Sequence, residues 1–163
     1  MIVTMAGCGA LGSLLAARLI EGGVQVQAFQ RKGLQLEALK ENGITIEGDR
    51  TGTTRSFKLS AVSDDPSELH SSRLIIVLVK AYSTEGIYPV QSILEQDGVV
   101  LTIQNGLGSA EKLVRMFGEE KVGAGIATYG AYTIAPGIIG WGGDGDIIFG
   151  PWKKGKDILW VCN

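Results

Sequence analysis

Ile2-Val3-Thr4-Met5-Ala6-Gly7-Cys8-Gly9-Ala10-Leu11-Gly12 opens the chain, and the reading of this stretch decides the fold. Residues 2–6 form a short, mostly apolar run that breaks at Gly7, after which Leu11, Leu14, Leu15, Arg18 and Leu19 recur at helical spacing. The local order is therefore strand, glycine turn, helix. Gly22-Gly23 stops the helix, and residues 24–29 alternate with period two before Arg31, which predicts a second strand and closes a first β-α-β unit.

Working outward, residues 34–40 predict a helix stopped by Asn42-Gly43, and 44–47 with 54–59 predict a hairpin around 48–52. Asp65-Pro66-Ser67-Glu68 predicts a helix start, with Asp65 as N-cap, Pro66 at the first helical position and Glu68 closing a capping box. Residues 74–79 are continuously apolar, the mark of a parallel strand buried on both faces, and the run ends abruptly at Lys80. A helix over 83–94, a strand over 99–103 and a helix over 110–116 follow. The glycine-bounded segments 122–127, 132–134, 138–141 and 147–149 are expected to finish the same sheet. Strands alternating with helices make the fold class α/β, a doubly wound, mostly parallel sheet. Such a sheet binds ligands at the carboxyl ends of its strands, where 7–12, Arg31, Lys80 and Asn105 all fall.

Composition narrows the function classes. With 163 residues the chain has room for one domain, 45% of its residues are hydrophobic and 20% charged, and 24 are glycines, about twice the usual share. A net charge of −2 offers no basic stripe for nucleic acid. Cys8 and Cys162 stand near opposite ends and make no disulfide framework, which fits a reducing cytoplasm. The apolar start lacks a basic n-region, and no apolar run approaches the roughly 20 residues of a membrane span. No membrane partner is expected.

Gly7-Cys8-Gly9-Ala10-Leu11-Gly12 fits G-x-G-x-x-G in its proper context, a strand before it and a helix after it. In this Rossmann-type pattern Gly7 permits the tight turn, Gly9 admits a pyrophosphate to the backbone, and Gly12 allows close helix–strand packing. The helix start supplies N–H groups and a positive dipole end to the phosphates. Folds that select NAD place an acid at the end of the second strand, whereas here Gln30-Arg31-Lys32 stands there. A guanidinium pairs with a 2′-phosphate that a carboxylate would repel, so NADP is favoured over NAD. Lys32 reads equally well as the opening of a solvated helix.

Lys80 must either snorkel to solvent or meet a ligand. Gln104-Asn105-Gly106-Leu107-Gly108 is either a plain turn or an amide placed near the nicotinamide side of the crevice. His70, the only histidine, sits in a polar stretch and reads as a surface residue, and with two remote cysteines a metal site is not expected. Asp144 and Asp146 read as turn residues. Cys8 lies at a phosphate-binding turn that could lower its pKa, but no base accompanies it.

Taken in order, the 7–12 motif, Arg31, Val79-Lys80-Ala81-Tyr82, Gln104-Asn105-Gly106-Leu107-Gly108 and the later stretches 125–131, 137–139 and 148–150 closely resemble the ketopantoate reductase family, from residue 1 to about 151. The resemblance implies an enzyme that reduces 2-dehydropantoate to pantoate with NADPH, on the way to pantothenate and coenzyme A. It implies that Gly7, Cys8, Gly9, Ala10, Leu11 and Gly12 hold the pyrophosphate and Arg31 the 2′-phosphate. It also implies that Lys80 and Asn105 sit by the nicotinamide ribose, Asn105 also near substrate, with the Ala131 backbone on the cofactor.

Members of that family continue into a helical C-terminal domain that supplies the general-acid lysine and most substrate contacts. The expectation here is a dinucleotide-binding domain over 1–151, a tail over 152–163 without a matching motif, and no catalytic residue within the chain. Lys153, Lys154 and Lys156 do not take the place of the missing acid. An isolated domain, a truncated gene product and one part of a split enzyme remain open. So do a free-standing dinucleotide-sensing module, the Rossmann domain of another NADP-dependent dehydrogenase, and a homo-oligomer formed through an exposed apolar face.

Overall fold

The opening strand and the apolar run lie side by side in the computed structural model, which describes residues 1–48, 51–154 and 158. The strands are β1 (Ile2–Ala6), β2 (Gln25–Phe29), β3 (Ile44–Glu47), β4 (Arg55–Phe57), β5 (Val62–Ser63), β6 (Ser72–Val77), β7 (Leu94–Thr102), β8 (Val122–Ala127), β9 (Gly130–Ala135), β10 (Ile138–Gly143) and β11 (Ile147–Pro151). The α-helices are α1 (Ala10–Glu21), α2 (Leu34–Asn42) and α3 (Ser109–Phe117). β1 pairs in parallel with β2 on one side and β6 on the other.

The main sheet has seven strands in the order β11-β8-β7-β6-β1-β2-β5, parallel except for β11 at one edge. Because successive side chains point to opposite faces, Val3, Met5, Leu74 and Ile76 join one core and Ala6, Ile75 and Val77 the other. α1 covers the first face with Leu14, Ala16 and Ala17. Leu113 and Phe117 of α3 cover the second. Removing side chains of this size from water contributes about 1.5–3 kcal/mol each for the larger ones.

Four expectations need correction. β9 and β10 do not finish the main sheet but join the β3–β4 hairpin in a separate four-stranded sheet, β4-β3-β10-β9. In it β3 and β10 pair in parallel across the chain, and Ile44, Ile46 and Ile139 bury against the α1 side. Period-two alternation specifies a strand and its buried face, never its partner. The helix expected over 83–94 is a 3₁₀ segment, Ala81–Ile93, which carries Pro89 and Gly86. Pro89 has no N–H to donate and Gly86 weakens helix, so tighter turns replace an α-helix.

The capping box at Asp65 is only half formed. Asp65 accepts from the Ser67 amide at 2.8 Å, while Glu68 is reached indirectly, through the Ser63 hydroxyl, which donates to Glu68 and accepts from the Asp65 amide. The turn it starts is a single 3₁₀ turn, Pro66–Glu68. Finally, β2 is buried on both faces: Gln27 is fully enclosed, its amide donating to Thr4 Oγ1 and the His70 carbonyl and accepting from the His70 amide. His70 itself is exposed, as its polar surroundings suggest.

Candidate functional site

The order in which the chain adds strands to the main sheet switches sides between β1 and β6, and that switch point is where a ligand cleft is expected. A cleft of about 700 Å³ opens there. Its walls carry Gly7, Cys8 and Gly9 from the β1–α1 turn, Arg31 from the end of β2, and Lys80 from the end of β6. Residues far apart in sequence thus meet because three parallel strands end side by side.

The three motif glycines differ in what demands them. Gly7 has φ +97°, and a Cβ there would lie 2.7 Å from Val79. A Cβ on Gly12 would lie 2.1 Å from the Gly7 carbonyl oxygen, so it is the return of the helix over its own turn, more than packing on a strand, that requires this glycine. The fold itself excludes side chains at both. Gly9 is different: its φ is −74° and a Cβ would meet nothing within 4 Å. Folding leaves Gly9 open, and the space that a side chain would fill belongs to the cleft.

α1 begins at this turn without a side-chain cap and without an acid in its first turn. The first N–H groups of an α-helix have no intrahelical acceptor, so Ala10, Leu11 and Gly12 present donors and a positive dipole end there. Arg31 and Lys80 are exposed, and neither makes a side-chain hydrogen bond or ion pair among the described residues. Two cations without partners, an uncapped helix start and an open backbone at Gly9 suit a ligand with several phosphates. The residues present therefore fit a dinucleotide.

Cys8 departs from the expectation of a lowered pKa. Its side chain points into the core, fully buried, and burial pushes the thiol up to about 12. A thiolate would be desolvated there, which outweighs the helix start. The Cys8 backbone, in contrast, is fully engaged: its amide donates to Gln30 Oε1 at 2.9 Å, and its carbonyl accepts from Gln35 Nε2 at 2.7 Å and Ser13 Oγ at 3.1 Å.

Asn105 and Ala131 are not among the residues lining the cleft. Asn105 is exposed in the turn after β7, and Ala131 lies on β9, packed against the core beneath α1. What joins Asn105 to the cleft is its neighbour Gln104, which the motif displays without revealing a role. The Gln104 amide donates to the Val79 carbonyl at 2.6 Å and to Thr84 Oγ1 at 3.1 Å, and accepts from Thr102 Oγ1 at 3.0 Å. The ends of β6 and β7 are laced together by one buried side chain. Tyr82 and Glu85 also face the cleft from the 3₁₀ segment, where an expected α-helix would have placed them differently.

Beyond β11, Lys153 pairs with Glu119 at 3.3 Å and with Glu120 at the surface, which raises its pKa. Lys156 and Cys162 lie outside the described residues.

Residues 3–154 match the family described as Ketopantoate reductase PanE/ApbA. The 2-dehydropantoate 2-reductase of Pyrococcus horikoshii is 33% identical over 157 residues, 96% of this chain and 50% of the relative. That of Pyrococcus abyssi is 35% identical over 158 residues, with the same shares. This chain spans about half the length of the curated relatives it matches. Among solved structures, D-mandelate dehydrogenase with NADH and anilino(oxo)acetate superposes with a TM-score of 0.86 at 26% identity, over 98% of this chain and 51% of that one. The 2-dehydropantoate 2-reductase of Geobacter metallireducens gives 0.82 at 28% identity, over 93% and 50%. By sequence over nearly its whole length and by the fold that carries its cleft, the chain belongs to the ketopantoate reductase PanE/ApbA family.

Proposed function

We propose that this chain is the NADPH-binding half of a cytoplasmic oxidoreductase of the 2-dehydropantoate 2-reductase type, with a small 2-keto acid as substrate of the full-length enzyme. The observation that carries the reading is the cleft itself, which unites the open backbone at Gly9 with the unpartnered cations of Arg31 and Lys80. When bound, a reduced nicotinamide dinucleotide supplies the hydride that reduces a ketone.

On this reading the amides of the first turn of α1 hold the pyrophosphate, and Gly9 keeps the approach clear. Arg31 pairs with the 2′-phosphate. Lys80 and Asn105 hold the nicotinamide ribose, Asn105 also faces substrate, and the Ala131 backbone borders the cofactor. The acid that protonates the developing alkoxide is expected from outside this chain, because Lys80 is the one lysine among the described residues lining the cleft and its role is positional. A related dehydrogenase using NADH is the second reading, favoured by the likeness to D-mandelate dehydrogenase. Against it stands the sequence Gln30-Arg31, which lacks the acid that an unphosphorylated ribose would engage.

Calorimetric titration of NADPH and NADH separates the two. A hydrogen bond to a charged group contributes roughly 1.5–3 kcal/mol, so NADPH is expected to bind about ten- to a hundredfold more tightly. Arg31→Ala should abolish the difference. Equal affinities in the unaltered chain, or a preference that survives the substitution, would remove Arg31 from the site.

A further inference from the structure

Two glutamines flank Arg31, one residue before it and four after, and both reach the backbone of Cys8. Gln30 Oε1 accepts from the Cys8 amide at 2.9 Å, and Gln35 Nε2 donates to the Cys8 carbonyl at 2.7 Å. The other end of the Gln35 amide accepts from the Gly137 amide at 2.9 Å, in the turn between β9 and β10. Gly137 in turn accepts, through its carbonyl, from the Thr45 amide on β3. The glycine turn, the segment bearing Arg31 and the second sheet are therefore joined through one half-buried side chain.

We propose that Gln30 and Gln35 are positioning residues that clamp the Cys8 backbone from both of its peptide groups, hold the pyrophosphate turn at a set distance from the Arg31 guanidinium, and thereby determine the preference for a 2′-phosphorylated dinucleotide. The inference rests on the cofactor reading above. A 2′-phosphate and a pyrophosphate are carried by one ribose, which limits how far apart they can stand, so a ligand satisfies both contacts best when the turn and Arg31 keep their spacing. Arg31 is exposed on a connection with no strand of its own, and the clamp, together with the bond from the Gly7 amide to the Phe29 carbonyl, ties that connection to the turn. The chemistry of position 30 matters as well. A carboxylate there would accept the same bond from Cys8 but set a negative charge beside the 2′-phosphate, and Gln30 keeps the bond without the charge.

The test is a matched titration of NADPH and NADH against the unaltered chain, Gln35→Leu, Gln30→Glu, Arg31→Ala and the Gln35→Leu/Arg31→Ala pair, each checked for folding by circular dichroism and thermal melting. Gln35→Leu should weaken NADPH by about tenfold and NADH much less, and on the Arg31→Ala background it should affect both cofactors alike. Gln30→Glu retains the acceptor for Cys8 and threatens folding least. It should weaken NADPH by about tenfold or more while NADH binding is retained or strengthened, because a carboxylate there can engage a free 2′-hydroxyl. If Gln35→Leu lowers both cofactors equally on either background, or Gln30→Glu leaves their ratio unmoved, the clamp does not govern selectivity. An unaltered chain that binds both cofactors equally overturns the parent reading instead, and that outcome is read without any variant.

Discussion

At the scale of single residues, the G-x-G-x-x-G motif divides into glycines that the fold needs and one that it does not. Gly7 and Gly12 are enforced by contacts of 2.7 and 2.1 Å that any Cβ would make. Gly9 has ordinary backbone angles and open space before it. Gly9→Ala should therefore keep the melting temperature of the unaltered protein and lose most NADPH affinity, whereas Gly12→Ala should fail to fold stably. Circular dichroism melts paired with cofactor titration would check both, and a Gly9→Ala protein that binds normally would make this glycine incidental. The motif and the separate roles of its glycines were legible as a pattern, but the contacts that enforce Gly7 and Gly12 were not, since the letters carry no record of what each faces. Cys8 makes the same point: its place in the motif suggests an activated thiol, and its burial makes it inert, with a pKa raised to about 12.

At the scale of elements, the order and type of most strands and helices follow from periodicity, glycine stops and the one buried apolar run. The exception is instructive. Residues 81–93 have a helical pattern of buried positions, Thr84, Ile87, Val90 and Ile93, but the spacing is three, which suits 3₁₀ turns once Pro89 withholds its N–H. That segment is held to the end of β7 by Gln104. Gln104→Leu preserves the bulk of the side chain and leaves the Val79 carbonyl and the Thr84 and Thr102 hydroxyls without this partner. A buried polar group left unsatisfied costs about 1–3 kcal/mol. The denaturation midpoint should fall accordingly, and NADPH affinity should fall with it, because Lys80 and Asn105 adjoin the groups released. Unchanged stability in urea titration would show that water replaces the amide there.

At the scale of the whole molecule, one sheet with two cores on opposite faces brings three strand ends to a single cleft, and on the proposed reading that cleft holds the cofactor without completing a reaction. Purified chain with NADPH and 2-dehydropantoate should show cofactor binding but negligible loss of reduced-nicotinamide absorbance. A positioned acid contributes about 10²–10⁴-fold, and the described residues lining the cleft offer no lysine beyond Lys80. Turnover of about 1–10³ per second would instead place a complete site here. Determined by the sequence alone were the α/β class, the glycine turn before α1 and the cation at Arg31, because each depends on local chemistry: spacing of apolar residues, glycine at a turn, charge at a strand end. Left to the tertiary structure were the separate β4-β3-β10-β9 sheet, the burial of Gln27, and the bonds of Gln30, Gln35 and Gln104. Strand partners and side-chain amide partners are chosen across 20 or more residues of chain in each of these bonds, and the local pattern is the same whichever partner is taken.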